Sequence, residues 1–583
     1  MLKKIFFRMI TVFIISLFVS VPTFAAKSPK ISSKEMPVYL FEMQNKVNAP
    51  VYFIGDSDVP YFSLEDCGEL YTHFMKNIFH QNQNISFELK FSKKGEVGTL
   101  TRVDGDPYTM TVDCAADKIT FLDYDAFIRP DESRVLIDVL SADDPRSDDD
   151  VNFFKRTPNS YERYGDELVL DLAKYGIDLV ADDKDCYIPA QTFSDFLLSL
   201  NYVNIYYNGE AIFFAGHNQM KDTSEAESEL GKIFYSVKPK KVSEAMAKFN
   251  YAELCLAFDN LYGLKEIHGI ESFDNLCKQS GYKEILTGID TEQADAALYL
   301  IISKHLDDLH SSFLSVSPFS GKNLNEGFIK KFGVGQSELA FIKQYKNYLE
   351  ARKKFYPNGV PAYEEIGNTA YITFDQFKGV PKDADYYQTP PTENVTDTIG
   401  IILYAYSQIM RENSPIENVI LDLSCNLGGE ADTAIYTISA FLGEGYSSLK
   451  NTMTNALATG VYNVDVNLDH KYDIKDRGFL TKKLFCIISP VSFSCGNLVP
   501  NVFKNSNQVT LIGRTSGGGS CVVLPMTTAY GTYFQISSPL RLSFIKNGSF
   551  YDIDRGAEPD CPLMFPESFY DRKSLTKYIN EIK

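Results

Sequence analysis

The sequence predicts an α/β protein, and three observations carry that reading. From about residue 360, short apolar runs alternate with helical patterns, as a mostly parallel sheet requires. Residues 27–220 are strand-rich with interspersed helices, an α+β pattern, and residues 221–310 show helical periodicity almost throughout. At 583 residues the chain is too long for one core. It divides into a leader (1–26), an N-terminal α+β module (27–220), a helical subdomain (221–310), a connection (311–359) and the α/β core (360–583). Hydrophobic content of 44% with 23% charged residues is that of a folded chain. Its 42 Phe and 36 Tyr supply large core side chains in the absence of Trp.

The leader has the pattern of a secretory signal peptide. Lys3, Lys4 and Arg8 form a basic start, Met9 to Val21 an apolar stretch, and Thr23-Phe24-Ala25 a cleavage site. A signal anchor is the competing reading, opposed by the shortness of the stretch and the small residues after it. No cysteine stands at the cleavage point, and no later stretch is long and apolar enough to span a bilayer. The expected location is therefore outside the cell, secreted or at the cell surface. Cleavage removes three positive charges and moves the net charge from −19 to −22. A chain this acidic lacks a phosphate-neutralising surface, which excludes nucleic acid as a partner.

Within the N-terminal module a faint repeat is visible. Val51 to Ile54 leads through Asp56-Ser57-Asp58 to Pro60 to Asp66 and a helical pattern. Ile177 to Val180 leads through Asp182 to Asp185 to Tyr187-Ile188-Pro189 and a helical stretch from Thr192 to Leu200. Each copy reads as a hairpin with an acidic turn followed by a helix. This resembles the small N-terminal module of copper amine oxidases, which recurs in secreted Gram-positive proteins. The aspartates lack the spacing and terminal Glu of a calcium loop and read as solvated turn residues. In the helical subdomain the clearest helix runs from about Thr291 to Asp308, with Asp290 or Thr291 as N-cap.

The α/β core reads as strands at 369–374, 419–423, 484–488 and 509–512, with helices at 401–410, 431–442 and 498–503. Ten cysteines lie beyond the leader without a CxxC pair, so no structural zinc site is expected. Cys495 and Cys521 flank the candidate site described next and are the candidate disulfide partners.

Ser494 follows the strand-like run Leu484 to Ile488 through Ser489 to Phe493 and precedes a helix starting near Cys495. A hydroxyl at such a turn projects into a cleft that unpaired helix N–H groups also face. Acyl transfer needs that pairing of nucleophile and oxyanion donors. The plainer reading is a helix cap. Asp422 to Gly429 also follows a buried strand, and Gly428-Gly429 lets backbone N–H groups approach a ligand. Gly517-Gly518-Gly519 lies in a loop without the lysine of a phosphate-binding loop. Asp308-Leu309-His310-Ser311 closes the long helix, and Asp552, Asp554 and Glu558 stand beside a turn near the C-terminus.

Taken in order, these segments resemble the serine peptidases grouped with the C-terminal processing (tail-specific) proteases and the tricorn core. The family's histidine element is matched by Asp308 to Ser311, and its oxyanion loop by Asp422 to Gly429 with Ser424 in place of arginine. Its nucleophile turn is matched by Ser492 to Asn497 and its Gly-x-x-Pro-Asp ending by Gly556 to Asp560. The resemblance covers roughly residues 250–565 and implies a ClpP/crotonase-like core. No lysine occurs between Lys504 and Lys546, which removes the family's Ser–Lys dyad. Too few residues separate His310 from the first core strand for a PDZ domain. Both departures point to the tricorn-like branch, in which a histidine is the base.

The resemblance implies a secreted endopeptidase acting on polypeptide without metal or cofactor. Ser494 is the nucleophile, His310 the base, and Gly428 or Gly429 with Cys495 the oxyanion donors. The family's glutamate position holds Ile553, which leaves Asp554, then Asp552, to orient the imidazole, while Asp308 braces the His310 turn. Cys495 is a rival nucleophile. Two other functions fit: a catalytically degenerate fold that binds peptides or cell-wall material, and a crotonase-like acyl hydrolase outside the peptidases. Substrate preference and oligomeric state are not written in the sequence.

Overall fold

The computed structural model describes residues 30–40, 46–76, 87–103, 108–128, 154–156 and 160–216. It also describes the chain from 220 to 582, with gaps at 221, 224–225, 228, 322–323 and 382–383. The leader lies outside the described residues. A six-stranded sheet forms the centre of the C-terminal half, in the order Tyr363–Ile366, Thr369–Thr373, Asn418–Asp422, Lys483–Ile488, Val509–Gly513, Cys561–Pro562. The first pair is antiparallel and the others are parallel.

The strand residues alternate between two buried faces, which is why these runs are apolar throughout. Ala370, Ile372, Val419, Leu421, Cys486, Ile488 and Leu511 pack under helices Thr398–Ile409, Ala431–Leu442 and Cys495–Ser506. Tyr371, Ile420, Phe485, Ile487 and Ile512 face the other way, against Tyr348 and Ala351 of helix Gln336–Phe355 and Leu575 and Ile579 of helix Arg572–Glu581. The result is a helix–sheet–helix sandwich.

A second sheet carries the other wall of the site. It runs Ser312–Ser315, Tyr533–Ser543, Gly445–Asn451, Leu457–Val464, with Cys521–Thr527 paired to Tyr533–Ser543. Two strands from the N-terminal region, Phe154–Arg156 and Ser160–Arg163, pair with Leu457–Val464. Hydrogen bonding thus ties residues 154–156 and 160–163 to the C-terminal half. The segment expected as a connection holds strand Ser312–Ser315 and the 20-residue helix Gln336–Phe355. That helix was hard to read because only Tyr348 and Ala351 on it are buried, so no apolar stripe marks it.

In the N-terminal region a strand from each of the two repeat copies pairs with the other. Tyr61–Ser63 of the first copy pairs antiparallel with Cys186–Pro189 of the second, in the register Tyr61↔Pro189, Phe62↔Ile188, Ser63↔Tyr187. Helix Leu64–Phe74 leaves one strand and helix Ala190–Phe193 the other. Both strands lie within a seven-stranded sheet, and a five-stranded antiparallel sheet (residues 89–121 and 168–171) stands beside it.

The helix expected over 291–308 is α-helical only from Thr291 to Leu300, with Asp290 accepting from the Gln293 N–H as its cap. It widens to a π turn over Ile301–Leu306 and stops at Asp307, whose φ of 45° is left-handed. All ten cysteines are free thiols. Cys495 points its sulfur at the Gly429 carbonyl, 3.3 Å away, so the expected pairing with Cys521 is absent. Among the described residues no helix is long and apolar enough to cross a membrane.

Candidate active site

Ser494 sits where strand Lys483–Ile488 has crossed a tight loop and helix Cys495–Ser506 begins. The loop is fixed to its neighbour: Ser492 Oγ donates to the Leu423 carbonyl at 2.7 Å, and Phe493 N–H to the Asn426 carbonyl at 3.1 Å. Ser494 is held at φ 57°, ψ −124°, and its side chain makes no capping bond. A left-handed serine costs on the order of 1–3 kcal/mol and persists only where its surroundings enforce it. Here the Ser494 N–H donates to the Gly518 carbonyl at 2.9 Å. The hydroxyl stays free of the helix, which sets the cap reading aside.

The Gly428-Gly429 loop lies against this serine. A Cβ on Gly428 would stand 2.6 Å from Ser494 Cβ and 3.1 Å from its Oγ, and both glycines have positive φ. Gly428 N–H is already given to Asn426 Oδ1 at 2.9 Å. It is therefore not an open oxyanion donor, a correction to the expectation from the motif. Phe377 takes the flanking groups: its N–H donates to Gly428 O, and its carbonyl accepts from Glu430 N–H. Among the described residues, the Gly429 and Cys495 amides have no backbone partner. Burial pushes the Cys495 thiol up to about 12, which removes the basis for a thiolate nucleophile.

His310 is 8% exposed and its ring packs on Phe493 at 4.6 Å. The Phe493 and His310 rings also share the surface of Gly519, whose Cβ would stand 2.6 and 3.2 Å from them. The imidazole and the Ser494 turn thus meet around Phe493 and the triple glycine. Among the described residues no hydrogen bond joins the His310 ring to Ser494, as is common without substrate. Asp308 Oδ1 accepts from the His310 and Ser311 N–H groups at 2.9 and 3.1 Å, and its Oδ2 from Tyr262 OH at 3.0 Å. It braces the turn as expected. Gln535 Nε2 donates to the His310 carbonyl at 2.8 Å. Burial holds the imidazole below its ordinary pKa, opposed by the negative charges of Asp308 and Asp554.

Asp554 does not bond the imidazole. Its Oδ1 accepts from Ser520 N–H at 2.8 Å, its Oδ2 from Ser520 Oγ at 2.7 Å, and Arg541 pairs with the same oxygen. Asp552 pairs with Arg541 as well, at 2.8 Å. Asp554 reaches His310 through its charge, and the orienting hydrogen bond expected of it is not made. The reason is Arg541, a cation buried in strand Tyr533–Ser543 that claims the carboxylate first. Ser424, which replaces the family arginine, contacts Tyr570 OH at 3.0 Å, and the motif's Asp422 is paired with Arg572 at 3.0 Å.

Residues 368–562 match the model described as Peptidase family S41. The match covers about a third of the chain and marks this region as similar to that peptidase family. The matched range holds Ser494, Gly428, Gly429 and Asp554, and leaves His310 before it. A curated protein of Chlamydia pneumoniae is 30% identical over 114 residues, 18% of this chain and 17% of its own length. The match therefore spans about a sixth of that relative. Among solved structures, a photosystem II D1 C-terminal processing protease aligns at TM-score 0.25 and 14% identity, over 34% of this chain and 43% of its own. The tricorn protease aligns at 0.27 and 11%, over 85% and 46%. A lipoprotein from Streptococcus agalactiae aligns at 0.34 and 14%, over 59% and 98%.

Several residues of the candidate site escaped the sequence reading. Asn426 positions the glycine loop through Gly428 N–H and the Phe374 carbonyl. Phe493 carries the contact to His310, and Arg541 and Ser520 hold Asp554. Arg541 had a signal: it is a lone charge between Leu540 and Leu542 in an otherwise apolar and small-residue run. Phe493 had none, because one aromatic in a turn is ordinary core material.

Proposed function

We propose that the protein is an exported serine endopeptidase with Ser494 as nucleophile and His310 as base. The observation that carries this reading is the uncapped, left-handed Ser494 at a helix start, beside His310 and two unpartnered amides. Ser494 Oγ attacks the peptide carbonyl and its proton passes to the imidazole. The oxyanion is received by the N–H groups of Gly429 and Cys495, each worth about 2.7–4 kcal/mol of barrier in comparable sites. The imidazolium returns its proton to the leaving amine, and water then opens the acyl-enzyme. Asp554 and Asp308 stabilise the imidazolium by charge. The basic-then-apolar leader supports export, and the S41 match supports a polypeptide substrate.

A serine-directed fluorophosphonate tests this. Labelling and peptide hydrolysis in the wild type, both lost in Ser494→Ala and His310→Ala, are the expected result. Among the described residues no carboxylate bonds the imidazole, which favours a second reading, a binding protein on a silenced peptidase fold. A folded wild type that takes no label and cleaves no unstructured polypeptide would establish that reading instead.

A further inference from the structure

Two thiols in the N-terminal module converge from different sheets. Cys114 follows strand Thr109–Asp113 of the five-stranded sheet, and Cys186 opens strand Cys186–Pro189 of the seven-stranded sheet. Both meet the Glu96 carbonyl: Cys114 through its N–H at 3.0 Å, and Cys186 through its sulfur at 3.8 Å. Cys114 lies opposite Glu96, on the face of the five-stranded sheet that Gly98 shares, and a Cβ on Gly98 would stand 3.0 Å from the Cys186 sulfur. Cys186 is buried at the floor of this contact and Cys114 is half-exposed. An open cleft lined by Lys93, Gly95, Glu96, Ala181 and Asp182 lies alongside.

We propose that Cys114 and Cys186 are a reversible redox pair whose disulfide locks the two sheets of the N-terminal module together. The oxidant is a small disulfide such as oxidised glutathione. A Cys114 thiolate attacks one glutathione sulfur, forming a mixed disulfide and releasing a glutathione thiolate. Cys186 then loses its proton and attacks the Cys114 sulfur, releasing the second glutathione. Two thiols are oxidised and one glutathione disulfide is reduced to two glutathiones, so atoms and electrons balance. The division of labour follows from the structure. Cys114 is the sulfur a reagent can reach, and because the neighbouring Cys186 and burial hold its thiol above its ordinary pKa its attack is the slow step. The neighbouring Cys114 and the Lys93 charge favour thiolate at Cys186, which resolves the mixed disulfide. Asp185 and Asp182 oppose that charge. The bond would close a loop of roughly seventy residues, long enough for a large effect on the unfolded chain.

The test incubates the full chain with oxidised glutathione, alkylates remaining thiols and maps peptides by mass spectrometry. A Cys114–Cys186 linkage is expected, with thermal unfolding of the module raised on the order of 10 °C and reversed by dithiothreitol. The Cys186→Ser chain should stop at a glutathione adduct on Cys114. Alkyl label on both cysteines after oxidation, or a different pairing, would overturn the proposal. The wild-type map decides this even if the variant fails to fold.

Discussion

His310 and Ser494 owe their readiness to what surrounds them. Burial against Phe493 disfavours the imidazolium, so His310 stays neutral, and able to accept a proton, below its ordinary pKa of ~6.5. The acid limb of kcat/KM should accordingly lie under that value. Asp554 raises the histidine's proton affinity by its charge, so Asp554→Asn should move the acid limb to still lower pH. A pH–rate profile of the two proteins checks the direction, and a shift upward would mean that Asp554 does not act on His310 electrostatically. Gly428 makes the complementary point about space. Its φ is 97°, and a Cβ there would collide with Ser494 Cβ at 2.6 Å and Phe493 O at 3.0 Å. Gly428→Ala should lower kcat roughly 10²-fold by displacing the nucleophile, with fluorophosphonate labelling slowed alongside.

At the scale of elements, the site is a junction of three loops pinned to two sheets. Arg541 is the pin on the second sheet, since it holds Asp554, Asp552 and Ser520 Oγ together behind the triple glycine. Replacing it by Met strands the mostly buried Asp554 carboxylate without its cation. Loss of about 3–5 kcal/mol is expected, which calorimetry would read as a lowered Tm. The four parallel strands and helix Ala431–Leu442 were legible because runs buried on both faces are apolar without interruption. Helix Cys495–Ser506 was expected to start near Cys495 and to run through 498–503, and Pro500 lies inside both the expected and the observed span. The second sheet was largely missed. Strand Tyr533–Ser543 mixes serines and an arginine into its buried face, and some of those polar groups are satisfied by partners far along the chain, as Ser537 is by Asp308. Motif order pointed to Ser494, His310 and the glycine loop. It could not find which hydrogen bonds the neighbouring side chains had already taken, as with Gly428 and Asp554.

On the scale of the whole molecule, the N-terminal region meets the C-terminal half through buried polar contacts. Gln191 Nε2 donates to the Thr527 carbonyl at 2.8 Å and to Asp195 at 2.7 Å, and Thr527 Oγ1 donates to the Ile205 carbonyl at 2.8 Å. From helix Glu244–Leu261, Asn250 accepts from Ala529 N–H, and Glu253 accepts from Thr192 Oγ1 at 2.8 Å. Asp195 and Glu253 are both fully buried near each other, and among the described residues no cation contacts them and one Glu253 oxygen has no partner. Burial pushes Glu253 up to about 8 and Asp195 well above its ordinary value, Glu253's charge adding to the latter. Both are therefore held protonated in the folded state while the unfolded chain would release those protons from about pH 4–5 upward. The folded form binds more protons across that window, so stability must fall as pH rises from about 4.5 towards 8 and level off above the folded value. Glu253→Gln keeps an acceptor for Thr192 and removes one of the two titrations. Its Tm should exceed that of the wild type near pH 8 and converge with it near pH 4.5. A variant whose Tm runs parallel to the wild type across that range would show that these buried contacts are not where this pH dependence arises.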